Sequence, residues 1–285
     1  MKTDIEQQSK KSKNTLLKND NQENKIKGED QYENITQEYK ASKMLPFRTE
    51  SETPTFLKLL GSELGEQNIC DLACGEGFYT RKYRKLTRGR VVGVDISENM
   101  IKLAKSQQQP LNKQTKIEYY CNDACVLAEK HEFTSCFDIV TATFLLNYSS
   151  SKEMLDAFVK GAFRFLKPGG RFIGINTSPF IKNQETFDKT HKYSLEYTTD
   201  NAPIKEGDLI HINIKMKDGD AKFDNYFWNN NTYEIAFEKA GFDKLKWINL
   251  TLVEGNDTGF WQDWLENCPI IIFSAIKPEN TDSTV

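Results

Sequence analysis

The stretch that decides the fold is NICDLACGEG at residues 68–77, where a short apolar run ends in a turn with glycines at 75 and 77. A run of this length, bounded by a glycine turn, is typical of a strand buried in a parallel sheet. Residues 78–86 can then form a helix. The stretch therefore predicts a strand–turn–helix unit, and doubly wound α/β folds bind ligands at such turns, beyond the carboxyl end of the strand.

Strand and helix patterns alternate on both sides of this unit. Further strands are predicted at 91–95, 117–121, within 137–146, and at 171–176, 244–252 and 269–276. Helices are predicted over 32–43, 54–61, 78–86, from Ser97 onward, over 151–166 and over 232–241. This alternation predicts an α/β fold, a Rossmann-like doubly wound sheet of seven strands that is mostly parallel, with its last strand antiparallel.

The alternation is interrupted after the fifth strand. Isoleucines at 210, 212 and 214 alternate with polar residues, and Asp218-Gly219 separates them from a second β-rich run at 221–228. This pattern predicts an antiparallel hairpin. We interpret residues of about 177–228 as an inserted antiparallel β lid within one domain at 31–285, preceded by a disordered polar tail at 1–30.

Composition excludes several classes of function. The formal net charge is -3, so no overall positive field favours nucleic acid, and no apolar run is long enough to span a membrane. The N-terminal residues contain no apolar signal segment, which predicts a cytoplasmic protein. The six cysteines lack the spacing of a zinc site, so no metal is predicted.

Acidic residues follow the first three predicted strands. Asp95 ends the second strand, eighteen residues after Gly77, where a carboxylate can accept hydrogen bonds from a ribose diol. Asp123 follows the third strand and could accept the amino group of an adenine, with Ile96 and Ala124 or Cys125 covering the ring. Together these positions predict a nucleoside site at the carboxyl edge of the sheet.

A nicotinamide dinucleotide is the main alternative ligand. Thr80 occupies the third glycine position of the dinucleotide fingerprint, which spoils the close contact between helix and strand. Asp71 lies directly before the turn, where it would repel a pyrophosphate but would suit the ammonium group of a methionine moiety. The charge pattern therefore favours S-adenosylmethionine (SAM) as the cofactor.

Several segments in order resemble the motifs of class I SAM-dependent methyltransferases. They are DLACGEG at 71–77, GVD at 93–95, CNDACVL at 121–127, FDIVTATFLLNY at 137–148 and LKPGGRFIGIN at 166–176. The resemblance extends over about 32–278 and implies an enzyme. Within the superfamily the sequence is similar to small-molecule methyltransferases of the toxoflavin-biosynthesis type, through Tyr32, Ile35 and Tyr39 and through FWQDWLENCPI at 260–270.

The resemblance also implies which residues contact SAM. They are Asp71, Ala73, Gly75, Gly77, Asp95, Ile96, Met100, Asp123, Ala124 and Thr143. The turn would hold the methionine part, Asp95 the ribose and Asp123 the adenine edge, while Thr143 would meet the amino group through its carbonyl. Ala73 departs from the pattern because many relatives have glycine there, although a backbone contact tolerates the change.

The methyl acceptor is expected to be a small organic molecule, methylated on nitrogen or oxygen by in-line displacement. The sequence lacks the motif of adenine or glutamine amide methylation after the fourth strand, the paired-glutamate loop of arginine methyltransferases and the Asp-Asn pair of metal-dependent catechol methylation. Two alternatives stay open: methylation of protein or RNA, and a SAM-binding regulator without catalysis.

Few residues are candidates for the acceptor site, because the SAM sulfonium is already activated and a general base is optional. The weak catalytic candidates are Tyr39, Tyr148 and His211, and Tyr226 and Trp228 are further pocket candidates. His211, on an alternating strand, fits a solvent-facing polar residue better than a catalyst.

Overall fold

The computed structural model describes residues 40–108, 116–181 and 184–279. The strands are β1 (Ile69–Leu72), β2 (Val91–Asp95), β3 (Glu118–Cys121), β4 (Phe137–Thr143), β5 (Leu166–Thr177), β6 (Leu195–Thr199), β7 (Leu209–Ile214), β8 (Ala221–Tyr226), β9 (Lys246–Ile248) and β10 (Ile270–Ile276). Seven of them form one sheet in the order β3-β2-β1-β4-β5-β10-β9. Pairing is parallel from β3 to β5, whereas β10 is antiparallel to both of its neighbours. The predicted fold class is confirmed.

Helices cover both faces of this sheet. They are α1 (Thr53–Leu60), α2 (Phe78–Leu86), α3 (Glu98–Ser106), α4 (Ala124–Ala128), α5 (Lys152–Phe165), α6 (Gln184–Asp188), α7 (Asn230–Ala240) and α8 (Thr258–Asn267). A π-helical turn at Arg48–Glu52 leads into α1. Within the described ranges, none of the helices combines the length and the apolar character that crossing a membrane requires.

Alternating side chains along the central strands form two hydrophobic cores, one on each face of the sheet. Ile69 and Val91 belong to one core, and Cys70 and Val92 belong to the other. All four residues of β1 are buried, as expected for a central parallel strand. The first core continues into the inner face of a second sheet, and this continuity packs the two sheets together.

The second sheet has three antiparallel strands in the order β6-β7-β8, and we call it the three-stranded sheet. The predicted hairpin corresponds to β7 and β8, with Ile212 opposite Phe223. Strand β6 was not predicted from the sequence, although Leu195 and Tyr197 alternate with polar residues there and are buried. Antiparallel pairing of Tyr197 with Ile212 completes the apolar inner face.

Several predicted boundaries differ from the observed ones. The strand predicted over 244–252 is limited to Lys246–Ile248, because pairing with β10 ends there. The strand predicted at 171–176 begins earlier, at Leu166, with an irregularity in its pairing to β4. The helix at Thr258–Asn267 buries Trp261 and Trp264. The tail at 1–30 and most of the helix predicted over 32–43 lie outside the described residues.

Gly174 in β5 is required by close packing within the sheet. A Cβ atom at this position would overlap the carbonyl oxygen of Ala142 and the ring of Phe273. We expect Gly174→Ala to lower the free energy of unfolding by about 3 kcal/mol, the upper end of the cost of overpacking a core. Urea titration at equilibrium measures this change.

Gly161 in α5 provides the matched control, because an added Cβ would make only ordinary contacts at 3.8 Å or more. Gly161→Ala should stabilise the protein by about 1 kcal/mol, since alanine favours a helix interior over glycine. Equal stability of the two variants would contradict the packing argument for Gly174.

Candidate functional site

The turn between β1 and α2 is built on left-handed backbone. Gly75 and Gly77 have φ of 55° and 80°. A Cβ at Gly75 would meet nothing within 4 Å, so the backbone there lies open to a ligand, whereas a Cβ at Gly77 would strike the hydroxyl of Tyr119. Ala73 also has a positive φ, 53°, which costs an L-residue roughly 1 kcal/mol. This geometry explains why glycine suits position 73 better.

Asp95, at the end of β2, is fixed against this turn. Its Oδ2 accepts a hydrogen bond from the Gly75 amide at 2.7 Å, and its Oδ1 accepts one from the Ser97 amide at 2.9 Å. Burial raises the pKa of Asp95 above its ordinary value, and the amide bonds oppose this shift. The carboxylate is only half-buried, so it connects the turn to the open edge of the sheet.

Asp71 lies beneath the turn and is fully buried. Its Oδ2 accepts a hydrogen bond from the Thr80 hydroxyl at 2.5 Å, and its Oδ1 accepts one from the Thr141 hydroxyl at 2.9 Å. The sequence predicts that this carboxylate meets an ammonium group of the ligand. Because the side chain points into the core, the arrangement does not provide that direct contact, and Asp71 instead joins β1 to α2 and β4.

Burial raises the pKa of Asp71 from 3.8 to about 7, mainly through loss of hydration. The folded state therefore keeps a proton that the unfolded chain has lost, and stability falls as the pH rises from about 4 through 7. Asp71→Asn imitates the neutral form and should become more stable than the parent across this window, by at most about 4 kcal/mol. Denaturant titrations at several pH values measure the difference.

The exposed Asp243 offers a control for this experiment. Asp243→Asn should follow the pH dependence of the parent protein. If the free energies of unfolding of Asp71→Asn and of the parent changed with pH in the same way, Asp71 would instead be ionised in the folded protein.

Asp123 begins α4, and its Oδ1 accepts the Cys125 amide at 2.7 Å and the Val126 amide at 3.4 Å. Asp123 and Ala124 are both half-buried. The register of β2 and β3 aligns Asp95 with Cys121, so Asp123 lies near the same edge. The residues predicted to bind a nucleoside therefore lie at the ends of neighbouring strands.

Three other predicted cofactor residues differ in exposure. Ile96 follows β2, Thr143 ends β4, and both are half-buried. Met100 is only 1% exposed and packs into the core below α3, so its side chain offers almost no surface to a ligand. Ser97 caps the start of α3, since its hydroxyl accepts the Met100 amide.

The predicted catalytic candidates do not converge. Tyr39 lies outside the described residues, and Tyr148 is half-buried in a short 3₁₀ turn after β4. His211 lies on the outer face of the three-stranded sheet, with its Nδ1 2.7 Å from Asp224 and its Nε2 3.5 Å from Asp200. These contacts raise the pKa of His211. Alternation turns the His211 side chain away from the inner face, in line with the solvent-facing position that the sequence favours.

The two aromatic pocket candidates also lie elsewhere. Tyr226 is on the same outer face of β8 as Asp224. Trp228 is buried and donates its Nε1–H to the Ser149 carbonyl at 2.9 Å, which fixes the end of the three-stranded sheet.

An apolar pocket lies between the two sheets, and we call it the inner pocket. Its walls are Phe47, Arg48, Phe144, Leu195, Tyr197, Ile212, Ile214, Phe223 and Ile270. These residues are buried or half-buried, and all but Arg48 are hydrophobic or aromatic. The inner pocket therefore has the apolar character of a site for a small ring system.

Phe144 brings the inner pocket next to the glycine turn. It follows the last residue of β4, which lies beside β1, and its φ is 64°. Such a conformation is unusual for a bulky side chain and is retained where the surroundings enforce it, commonly at functional sites. The Phe144 amide donates to the Ile175 carbonyl at 2.7 Å, which holds this conformation.

None of the residues that line the inner pocket was predicted as a site residue from the sequence, and Arg48 is the charged one among them. Its Nη1 lies 2.7 Å from Glu52 Oε1 and 2.8 Å from Oε2. The segment around it, MLPFRTESETP, shows no clear helical period, so nothing in the local pattern indicates burial.

Among the residues that the structure describes, no group of three or more histidine, cysteine or acidic side chains is arranged to hold a metal ion.

Sequence comparisons identify relatives of known activity. The model of a family described as "Methyltransferase domain" matches residues 69–170. A demethylmenaquinone methyltransferase of Lactococcus lactis is 31% identical over 189 residues, which cover 65% of this chain and 69% of the relative. A ubiquinone/menaquinone biosynthesis C-methyltransferase of Klebsiella pneumoniae is 29% identical over 194 residues, 65% of this chain and 70% of that protein.

Structural comparisons show the same fold in other proteins. A SAM-dependent methyltransferase from Mesorhizobium loti aligns with a TM-score of 0.54 and 18% identity, covering 79% of this chain and 97% of that one. A chain of the Haloferax volcanii complex between the Trm112 methyltransferase activator and a methyltransferase aligns with a TM-score of 0.55 and 16% identity, covering 88% and 98%. At these identities the likeness concerns the fold.

Proposed function

Because the chain belongs to the class I SAM-dependent methyltransferases, we propose that it methylates a small aromatic ring compound bound in the inner pocket. The observation that carries this proposal is the position of the pocket. Phe144 connects it to the end of β4, and Tyr79 of α2 connects it to the glycine turn through Glu52. A ring there would lie beside the methionine end of SAM.

For the cofactor, we assign the ribose hydroxyls to Asp95 and the adenine to the edge formed by Ile96, Asp123 and Ala124. The open backbone at Gly75 and the carbonyl of Thr143 would receive the methionine part. The buried Asp71 is assigned a positioning role, since it supports the turn from below. SAM supplies an activated methyl group, so these residues need only bind and orient it.

The acceptor atom is proposed to be a ring carbon. The names of the Lactococcus and Klebsiella relatives describe menaquinone or ubiquinone methylation, and the latter name specifies carbon. The nitrogen or oxygen acceptor predicted from the sequence is therefore not supported by these relatives. Apolar walls suit a hydroxylated aromatic ring, which is flat and largely apolar, better than a charged amine.

The reaction then requires alignment and exclusion of water. The ring carbon attacks the methyl group in line with the departing sulfur, so that a C–C bond forms as the C–S bond breaks. S-adenosylhomocysteine (SAH) leaves as a neutral thioether, and the ring carbon loses its proton, which ends in bulk solvent, to restore aromaticity. The enclosed, apolar inner pocket favours this step because it removes water that would compete around the reacting ring.

Incubation of the protein with methyl-labelled SAM and naphthalene diols tests the proposal. Nitrogen keeps the diols in their reduced form. The expected product is a ring-methylated diol, which mass spectrometry and NMR distinguish from a methyl ether. Transfer to oxygen alone would overturn the carbon assignment. SAM binding without any methylated product from such ring compounds would overturn the proposed acceptor class.

A location of this protein in the cytosol stays a prediction.

A further inference from the structure

Arg48 and Glu52 form a buried ion pair at the wall of the inner pocket. The two residues are 2% and 0% exposed, and the π-helical turn that contains them places them four residues apart on one side. π-Helical turns are rare and are frequent at functional sites. A pair so deeply buried is a costly way to stabilise a fold, because both charges lose their hydration.

The surroundings hold both charges in place. Glu52 Oε1 also accepts a hydrogen bond from the Tyr79 hydroxyl at 2.9 Å, and that hydroxyl lies 3.2 Å from Thr53 Oγ1. The Arg48 guanidinium lies 5.0 Å from the centre of the Phe47 ring and 5.6 Å from that of Phe144. A cation above aromatic rings is favoured by their negative faces. The pair is therefore rigid where it meets the pocket.

The charges of the pair cancel at the pocket wall. Arg48 is the one charged side chain among the residues that line the inner pocket, and Glu52 compensates it. The His211 and Asp224 side chains of the three-stranded sheet face outward. A carboxylate on the acceptor would thus enter a region of low dielectric without a cation of its own, which is strongly unfavourable.

From this arrangement we infer that the Arg48–Glu52 pair makes the inner pocket selective for uncharged ring compounds and that Arg48 positions one ring oxygen. The inference rests on the proposed function, whose acceptor site it describes. A guanidinium carries five N–H donors in a planar fork, so it can donate hydrogen bonds to Glu52 and to a ring hydroxyl or carbonyl at the same time. Glu52 would act through Arg48 as a positioning residue.

The test compares two acceptors that differ by one charge, a naphthalene para-diol and the same diol with one carboxylate. Calorimetry on the SAH-loaded protein measures binding of each compound under nitrogen. The parent protein should prefer the neutral diol. Glu52→Gln leaves the Arg48 charge uncompensated and should shift the ratio of the two affinities toward the carboxylate by roughly tenfold or more.

Glu118→Gln is the matched control, because it removes the acid of another ion pair, with Arg90, at the other end of the sheet. This variant should keep the selectivity of the parent. SAH affinity should be the same in all three proteins, so that the change is confined to the acceptor. An unchanged ratio in a folded Glu52→Gln protein that binds SAH would overturn the inference.

A double variant covers the case in which Glu52→Gln does not fold. Arg48→Met/Glu52→Leu replaces the pair by apolar groups, a change that buried ion pairs often tolerate. We expect it to bind SAH normally and to bind the neutral diol roughly tenfold more weakly, because the ring oxygen loses its donor. Unaltered diol binding would refute the role of Arg48.

These binding measurements are independent of turnover. If the parent binds the neutral diol selectively but forms no methylated product, the proposed function fails and the inference holds. If the parent methylates both compounds equally and binds them equally, the proposed function holds and the inference fails.

Discussion

Asp95→Ala should weaken the binding of SAM and of SAH by roughly 100-fold, as measured by calorimetry. A carboxylate that accepts both ribose hydroxyls makes two charge-assisted hydrogen bonds, each worth about 1.5–3 kcal/mol. The same substitution removes the acceptor of the Gly75 amide, which helps to hold the glycine turn. Both effects lower affinity for the cofactor.

Asp95→Asn separates these two effects. The amide side chain retains an oxygen that can accept the Gly75 or Ser97 amide, but it lacks the negative charge. We expect an intermediate loss of affinity, roughly tenfold. If Asp95→Ala bound SAH as tightly as the parent, the cofactor site would have to lie elsewhere.

Ile212→Trp should lower kcat/KM for the ring acceptor by roughly 100-fold or more and leave SAH affinity unchanged. Ile212 lines the inner pocket from β7, opposite Phe223. An indole in its place would occupy the space between the pocket walls and exclude the acceptor. Removing productive binding in this way is expected to raise KM and lower kcat together.

His211→Trp is the control, since it places the same bulky group at the adjacent position on the outer face. Activity should stay within about twofold of the parent, because surface substitutions usually have small effects. A larger loss from His211→Trp than from Ile212→Trp would show that the acceptor binds on the outer face, and it would restore His211 as a catalytic candidate.

The structural features that the sequence did not predict have the same physical cause. The π-helical turn at Arg48–Glu52 and the pocket residue Phe144 have no local pattern that marks them, since their roles depend on contacts with distant segments. Strand β6 did carry a short alternation, at Leu195 and Tyr197, but one short strand becomes recognisable only when it pairs with β7. The position of Asp71 directly before the turn is evident from the sequence, whereas the direction of its side chain, toward Thr80 and Thr141, is set by contacts in the core.

The order of strands and helices, the glycine turn after β1 and the acids after β2 and β3 are predictable from local sequence alone. Each depends on local properties: apolar runs set buried strands, and a positive φ selects glycine. Tertiary contacts alone show what covers the isoleucine face of β7, because alternation marks the buried face without saying which segments pack against it. The tertiary structure also brought Arg48, Phe144 and Ile212 to one pocket from three distant segments of the chain, since sheet packing joins residues that no sequence pattern connects.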